Sequence, residues 1–330
     1  MTIIKNFFWN AADQRLRFLW RLIIFALIFG VIVALTQLAL QLVAPDLANP
    51  GNSTNALAFI QNATISESLT LVGLLIALLI TSRWIDRRPF ADYGFHFSRA
   101  WWLDLLFGLA LGAILMTGIF LSEWQLGWVR ITSTFQGFSD MPFALSILWP
   151  LGLFVAVGIF EELISRGYLI VNLAEAFNFK FLSPTVALVL AWTLSSALFG
   201  LAHAGNPNAS AISTLAITVA GLLLGLGLVL TGDLAIAIGL HITWNFFQGN
   251  VFGFPVSGTS TNTASFIKVA QLGPSAWTGG DFGPEAGIIG LIAMAVGVVL
   301  LVIWVKWRYG QIRWQLALPR FTPPNQKPTR

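Results

Sequence analysis

Apolar residues run through this chain in long blocks, separated by short clusters of charged residues, glycine, proline and other polar groups. About 20 consecutive apolar residues cross the hydrocarbon core of a bilayer as a helix, the one single-segment conformation that satisfies its own backbone hydrogen bonds there. Eight such spans are expected, at about 21–44, 66–82, 101–122, 142–164, 184–204, 212–231, 234–253 and 286–306. The second is short. Trp101 and Trp102 open the third and suit a membrane interface. The predicted fold is all-α, a polytopic transmembrane helical bundle. Segment 254–285, rich in Gly, Ser and Thr, reads as a loop or a partly re-entrant stretch. The tail 307–330 contains Pro319, Pro323, Pro324 and Pro328 and reads as irregular. No fixed-period repeat and no inverted pair of broken helices is visible. The first ten residues, MTIIKNFFWN, carry no cleavable signal pattern, so the first span is expected to remain as an anchor.

Composition agrees with this reading. Of 330 residues, 56% are hydrophobic and 10% charged, against about 25% charged in soluble domains. The absence of cysteine excludes disulfides, a thiol nucleophile and thiolate metal ligands. The net charge of +4 does not indicate nucleic acid, because the basic residues sit in the connections between spans. Lys5, Arg15, Arg17 and Arg21 precede the first span, and Arg83, Arg87, Arg88 and Arg99 follow the second. Lys180 follows the fourth, and Lys306, Arg308, Arg313, Arg320, Lys327 and Arg330 follow the last. Only Arg130 and Lys268 fall on the other side. The positive-inside bias therefore places both termini in the cytoplasm, which agrees with an even number of spans. These charges read as orientation signals in contact with lipid headgroups, in a multi-pass cell-membrane protein of bacterial inner-membrane type. His96 reads as a surface residue of a basic loop. The stretch GLLLGLGL from Gly221 reads as a close-packing surface.

Three polar clusters break the apolar pattern. The first is EELISR, Glu161–Arg166. Glu162 and Arg166 are four apart and share a helix face, so they can neutralise each other. Glu161 points about 100° away and has no such partner. The second is FGLAH, Phe199–His203, and the third HITWN, His241–Asn245; in each the end residues stack one turn apart. Ionisable groups inside a bilayer are expensive and mark functional sites. Together the clusters predict one shared polar site drawn from three spans. Two imidazoles and an oxygen ligand, His203 and His241 with Glu161 or Asn245, suit Zn²⁺ or a similar divalent ion with a position open for water. A metal-free version also works in principle, with Glu161 activating water directly and a histidine and Asn245 binding the oxyanion. The signatures H-E-x-x-H and G-x-S-x-G are absent. Ser165 and Ser195 lack convincing partners, and Asp104 and Asp233 lack the pairing an aspartic mechanism needs.

In order, the clusters resemble the E-E-x-x-x-R, F-x-x-x-H and H-x-x-x-[ND] motifs of the CAAX protease and bacteriocin-processing family of intramembrane metalloendopeptidases. The resemblance covers roughly 142–253, leaving 1–141 as three N-terminal spans, 254–306 as external loop and last span, and 307–330 as a cytoplasmic tail. It implies an endopeptidase with Glu161 as general base, His203, His241 and Asn245 around the water or a metal, Glu162 and Arg166 as support, and Phe199 packed alongside. It implies a peptide or protein substrate cut near its C-terminus, prenylated or of bacteriocin type. The rival readings are a non-catalytic scaffold or immunity protein of the same fold and, further off, a transporter. One tension stands: a helix starting near Pro184 carries His203 about 28 Å inward, whereas Glu161 falls near the cytoplasmic end of the fourth span. A separation above about 12 Å would exclude a shared site.

Overall fold

The structure, a computed structural model, describes residues 7–11, 13–45, 55–139, 141–259 and 264–321. Lys5, Lys327, Arg330, Pro323, Pro324, Pro328 and the first six residues lie outside the described residues. The chain is helical, as expected. Its helices are α1 (Phe18–Val43), α2 (Ala56–Ile80, prolonged by a π-helical turn to Asp86), α3 (Arg99–Gln125) and α4 (Leu148–Glu162). α4 runs on through a π-helical stretch, Leu163–Ile170, to Ala176. The remainder are α5 (Pro184–Ala202), α6 (Ala211–Thr231), α7 (Ala235–Phe246, with a π turn to Val251) and α8 (Ile288–Tyr309). Side-chain caps start several of them: Ser98, Ser183 and Ser210 each accept from a backbone N–H of the first turn.

Seven helices are long and apolar enough to cross a membrane, where eight spans were expected. The difference is α7. It has 12 α-helical residues followed by 5 in the π turn, too few to qualify by length. It lies in the middle of the bundle, with Ala235–Ile242 buried throughout. α7 still runs the depth of the bundle, from Asp233 beside His96 to Phe252 stacked on Phe120.

Glycines set its closest approach. A Cβ on Gly239 would come within 2.4 Å of the Leu105 carbonyl oxygen, and one on Gly108 within 2.3 Å of the Ile236 carbonyl oxygen. α3 and α7 therefore pack backbone to backbone. Gly221 has a comparable role between α6 and α5, 3.1 Å from Ser196 by the same measure, in line with the packing expected there.

The N-terminal arm, the end of α2, the end of α4 and the C-terminal segment meet at one end of the bundle. There Arg15 pairs with Glu175 at 2.7 Å and Arg21 with Asp86 at 2.7 Å, Arg88 also binds Glu175, and the Phe321 ring lies over the Arg15 guanidinium. Arg15, Arg21 and Arg88 are buried. They are internal ion pairs, which corrects their reading as headgroup contacts. His96 is likewise half-buried, its Nδ1 2.6 Å from Asp233, so it is not an ordinary surface residue. Trp101 is buried, donating its indole N–H to the Gly94 carbonyl, which corrects its interface reading, whereas Trp102 is exposed.

At the opposite end β1 (Val129–Gln136) and β2 (Ser265–Gln271) form an antiparallel ladder with a register shift between Ile131 and Ser133. Arg130 and Lys268 sit on it. Segment 254–285 is thus partly a strand rather than a re-entrant stretch.

Gly239→Val is expected to destabilise the bundle by about 1–3 kcal/mol, because a clash with fixed backbone has no cheap relief. Gly118→Ala, whose Cβ would meet nothing within 4 Å, is expected to be neutral or slightly stabilising. Thermal unfolding in detergent separates the two.

Candidate active site

α4 does not end near Glu162. The π-helical stretch carries it on to Ala176, so Glu161 lies in mid-helix and the apparent mismatch of depth with His203 disappears. Glu161 Oε2 is 3.9 Å from His203 Nε2 and 3.8 Å from His241 Nε2, well inside the 12 Å limit. α4, α5 and α7 thus bring the two histidines and the unpaired glutamate together.

The adjacent glutamates divide as their helical positions predict. Glu162 is fully buried, and its Oε1 accepts from Arg166 Nη1 at 2.8 Å and from His241 Nδ1 at 2.7 Å. Arg166 lies 4.1 Å over the Phe199 ring, and its Nη2 reaches the Gly221 carbonyl at 3.4 Å. Phe199 in turn packs against both histidine rings, with centroids at 4.7 and 6.2 Å. π-helical turns are frequent at functional sites, and this one follows Glu162 directly.

The histidine tautomers follow from their partners. His203, at the C-terminal cap of α5, has Nδ1 2.8 Å from the Phe199 carbonyl oxygen, so Nδ1 carries the proton and donates it. His241 donates from Nδ1 to the Glu162 carboxylate. Both Nε2 lone pairs then face Glu161 Oε2, a buried atom with no hydrogen-bond partner. Three acceptors converge on one space, at separations too long for direct hydrogen bonds. Such a space is suited to a water molecule or a cation. The donor types match a divalent-metal set such as zinc's. The separations exceed the roughly 3.3 Å expected between two ligands of a tetrahedral zinc ion. No group of three or more His, Asp or Glu residues among the described residues is arranged to hold a metal ion.

The site opens into a cavity of about 230 Å³. Phe154, Val157, Leu223, Leu240 and Trp244 make its apolar wall; Asn245, half-buried, shares it with Glu161, His203 and His241. Neither Ser165 nor Ser195 lines it, and Ser195 Oγ donates to the Ser165 carbonyl at 2.5 Å. Several polar residues near the site were not anticipated. Asn206 and Glu285 line the cavity, and Glu67 of α2 interacts electrostatically with Glu161. A lone carboxylate in the apolar run ISESLTLV was a legible signal for Glu67. Nothing local distinguished Glu285. It is buried and accepts from the Ser257 backbone N–H at 2.6 Å and from Gln248 Nε2, tying the segment around Ser257 over the cavity as a roof. Burial pushes its carboxyl up to about 7, against the opposing pull of these hydrogen bonds.

Residues 143–247 match a family model described as type II CAAX prenyl endopeptidase Rce1-like. This part of the chain is similar to the Rce1-like family. The Rce1-like segment, roughly a third of the chain, runs from just before α4 to the end of α7. It contains Glu161, Glu162, Arg166, Phe199, His203, His241 and Asn245, and at family level it supports a membrane endopeptidase. No curated protein and no solved structure matches the chain.

Two outcomes are expected. Arg166→Ala leaves Glu162 buried without its guanidinium and should lower stability by about 3–5 kcal/mol in thermal or denaturant unfolding. Glu285 has a folded pKa above its ordinary value of 4.5, so its contribution is fully present below that value and is lost as the pH rises through about 7. The melting temperature should therefore fall between about pH 5 and 8, and Glu285→Gln should flatten that fall.

Proposed function

We propose that this chain is an intramembrane endopeptidase that hydrolyses a peptide bond in a membrane-associated peptide or protein, with Glu161 as general base. The observation that carries the reading is the convergence of Glu161 Oε2 with the Nε2 atoms of His203 and His241 on one cavity, at 3.9 and 3.8 Å. A water in that space gives a proton to Glu161, and its oxygen bonds to the carbonyl carbon of the substrate. One Nε2 lone pair orients the water by accepting its second hydrogen, the one that Glu161 does not take. The Asn245 amide donates to the developing oxyanion. Glu161 then returns the proton to the leaving amine as the C–N bond breaks. Glu162 and Arg166 act through His241, holding its Nδ1 proton and hence the direction of Nε2.

The residues that would hold a divalent ion of zinc type are His203, His241 and Glu161. When bound, such an ion would polarise the scissile carbonyl and acidify a water. The matching family is described as a CAAX prenyl endopeptidase, and a prenylated C-terminal peptide is the substrate class proposed from that likeness. The lining supports a segment of a few residues with an apolar flank, free or lipid-bearing.

The test is the purified protein with prenylated and unprenylated peptides, with and without chelator, products read by mass. Glu161→Gln should lower cleavage about 10²–10⁴-fold and Asn245→Ala about 10²–10³-fold, both with unchanged melting temperature. Loss of activity on chelation, restored by zinc, assigns the ion to the mechanism. Absence of cleavage by the folded wild-type protein would favour the non-catalytic reading.

A further inference from the structure

We infer that the protein has a second ligand site, a cavity at the basic end that takes a phosphate group carried by an anionic phospholipid of the adjoining leaflet. The inference does not rest on the hydrolytic reading, since no residue that lines the mid-bundle cavity lines this one.

The cavity measures about 460 Å³, and four separate parts of the chain enclose it. The α2–α3 connection supplies Arg88 and His96, the end of α4 supplies Glu175, and the α6–α7 connection supplies Asp233. The segment after α8 supplies Arg320 and Phe321. That last wall is fastened in place. Gln315 donates from its backbone N–H to the Val229 carbonyl at 2.9 Å and from Nε2 to the Leu230 carbonyl at 3.0 Å. Asn178 Nδ2 donates to the Pro319 carbonyl at 2.9 Å, and the Phe321 ring lies 3.4 Å from the Arg15 guanidinium and 5.9 Å from that of Arg88. The space is therefore built by the fold on every one of these sides.

The carboxylates on its wall are already engaged. Glu175 accepts from Arg15, Arg21 and Arg88. Asp233 lies 2.6 Å from His96 Nδ1, and Asp92 has an interaction of its own. The cations are not used up. Arg88 is 6% exposed, and among the described residues its Nε has no hydrogen-bond partner. A buried donor left without an acceptor is costly. Arg320 is exposed and forms no ion pair among the described residues. What the wall offers a ligand is therefore guanidinium N–H groups, whose planar forks match the oxygens of a phosphate.

Position selects the source of that phosphate. Trp84, Trp102 and Trp307, at this end of α2, α3 and α8, are exposed, as suits the level of the lipid headgroups. Basic residues outnumber acidic ones at the same end, which favours an anionic headgroup over a zwitterionic one. A basic pocket between membrane helices at that depth has the chemistry that holds a phospholipid headgroup.

The purified full-length protein in detergent is titrated with phosphatidylglycerol, phosphatidylcholine or inorganic phosphate. Bound lipid is counted by native mass spectrometry, and the melting temperature is read in parallel. The wild-type protein should retain one phosphatidylglycerol and melt higher with it, and phosphatidylcholine should bind at least tenfold more weakly. Arg320→Glu should weaken phosphatidylglycerol at least tenfold. Ala317→Trp, which fills the cavity from its wall without removing a charge, should do the same. Arg313→Glu makes an equal charge change at an exposed residue of the same segment outside the cavity, and should alter binding less than twofold. Equal losses in Arg320→Glu and Arg313→Glu, or undiminished binding in Ala317→Trp, would reduce the effect to diffuse surface charge and overturn the site. A wild-type protein that retains no lipid and does not respond to phosphate overturns it as well. Stabilisation by inorganic phosphate that Arg320→Glu abolishes keeps the site and overturns the lipid as its source; lipid retention without that response assigns the lipid. None of these readouts is cleavage, so they decide the site whether or not the protein hydrolyses peptides.

Discussion

The fully buried Glu162 carboxylate is the constraint on which this site depends. It accepts from Arg166 on its own helix and from His241 on α7. Removing a charge from water is unfavourable unless its partners are close and well directed. Here the partners are a guanidinium one turn away and an imidazole N–H across the bundle. The same contact fixes which nitrogen of His241 bears the proton and turns the other toward Glu161. One buried ion pair thereby determines the packing of α4 on α7, the stacking of Arg166 on Phe199 and the chemistry of the cavity.

The surrounding architecture keeps these groups in place by close backbone packing. Glycines at 108 and 239 let α3 and α7 touch, and Gly221 brings α6 close enough for its carbonyl to meet Arg166. The π-helical stretch after Glu162 lets α4 continue to the basic end without a break. The candidate site therefore lies in mid-bundle. Charge neutralisation through Glu175 and Asp86 is concentrated at one end, and the roof of the cavity at the other.

Much of this was legible in the residues. Helical periodicity separated Glu161 from Glu162 and paired the latter with Arg166, because the i,i+4 relation is local. The three polar clusters stood out because polar groups in an apolar span need partners. Other assignments failed for want of non-local information. Arg15, Arg21 and Arg88 read as headgroup contacts because Glu175 and Asp86 are distant in sequence. His96 read as exposed because Asp233, 137 residues away, is its partner. Glu285 and Asn206 carried no signal, since loop residues become cavity residues only through folding.

What the sequence by itself determined is the set of local relations: apolar runs that become helices, the Glu162–Arg166 pair, and the asymmetry of basic charge. Each depends on spacing along one helix or on composition. What only the tertiary structure decided is depth and contact. α4 continues where its apolar run seemed to stop, α7 is a short central helix, and Glu161 meets both histidines in one cavity. Depth and contact depend on how helices from distant parts of the chain pack, and no local spacing encodes that.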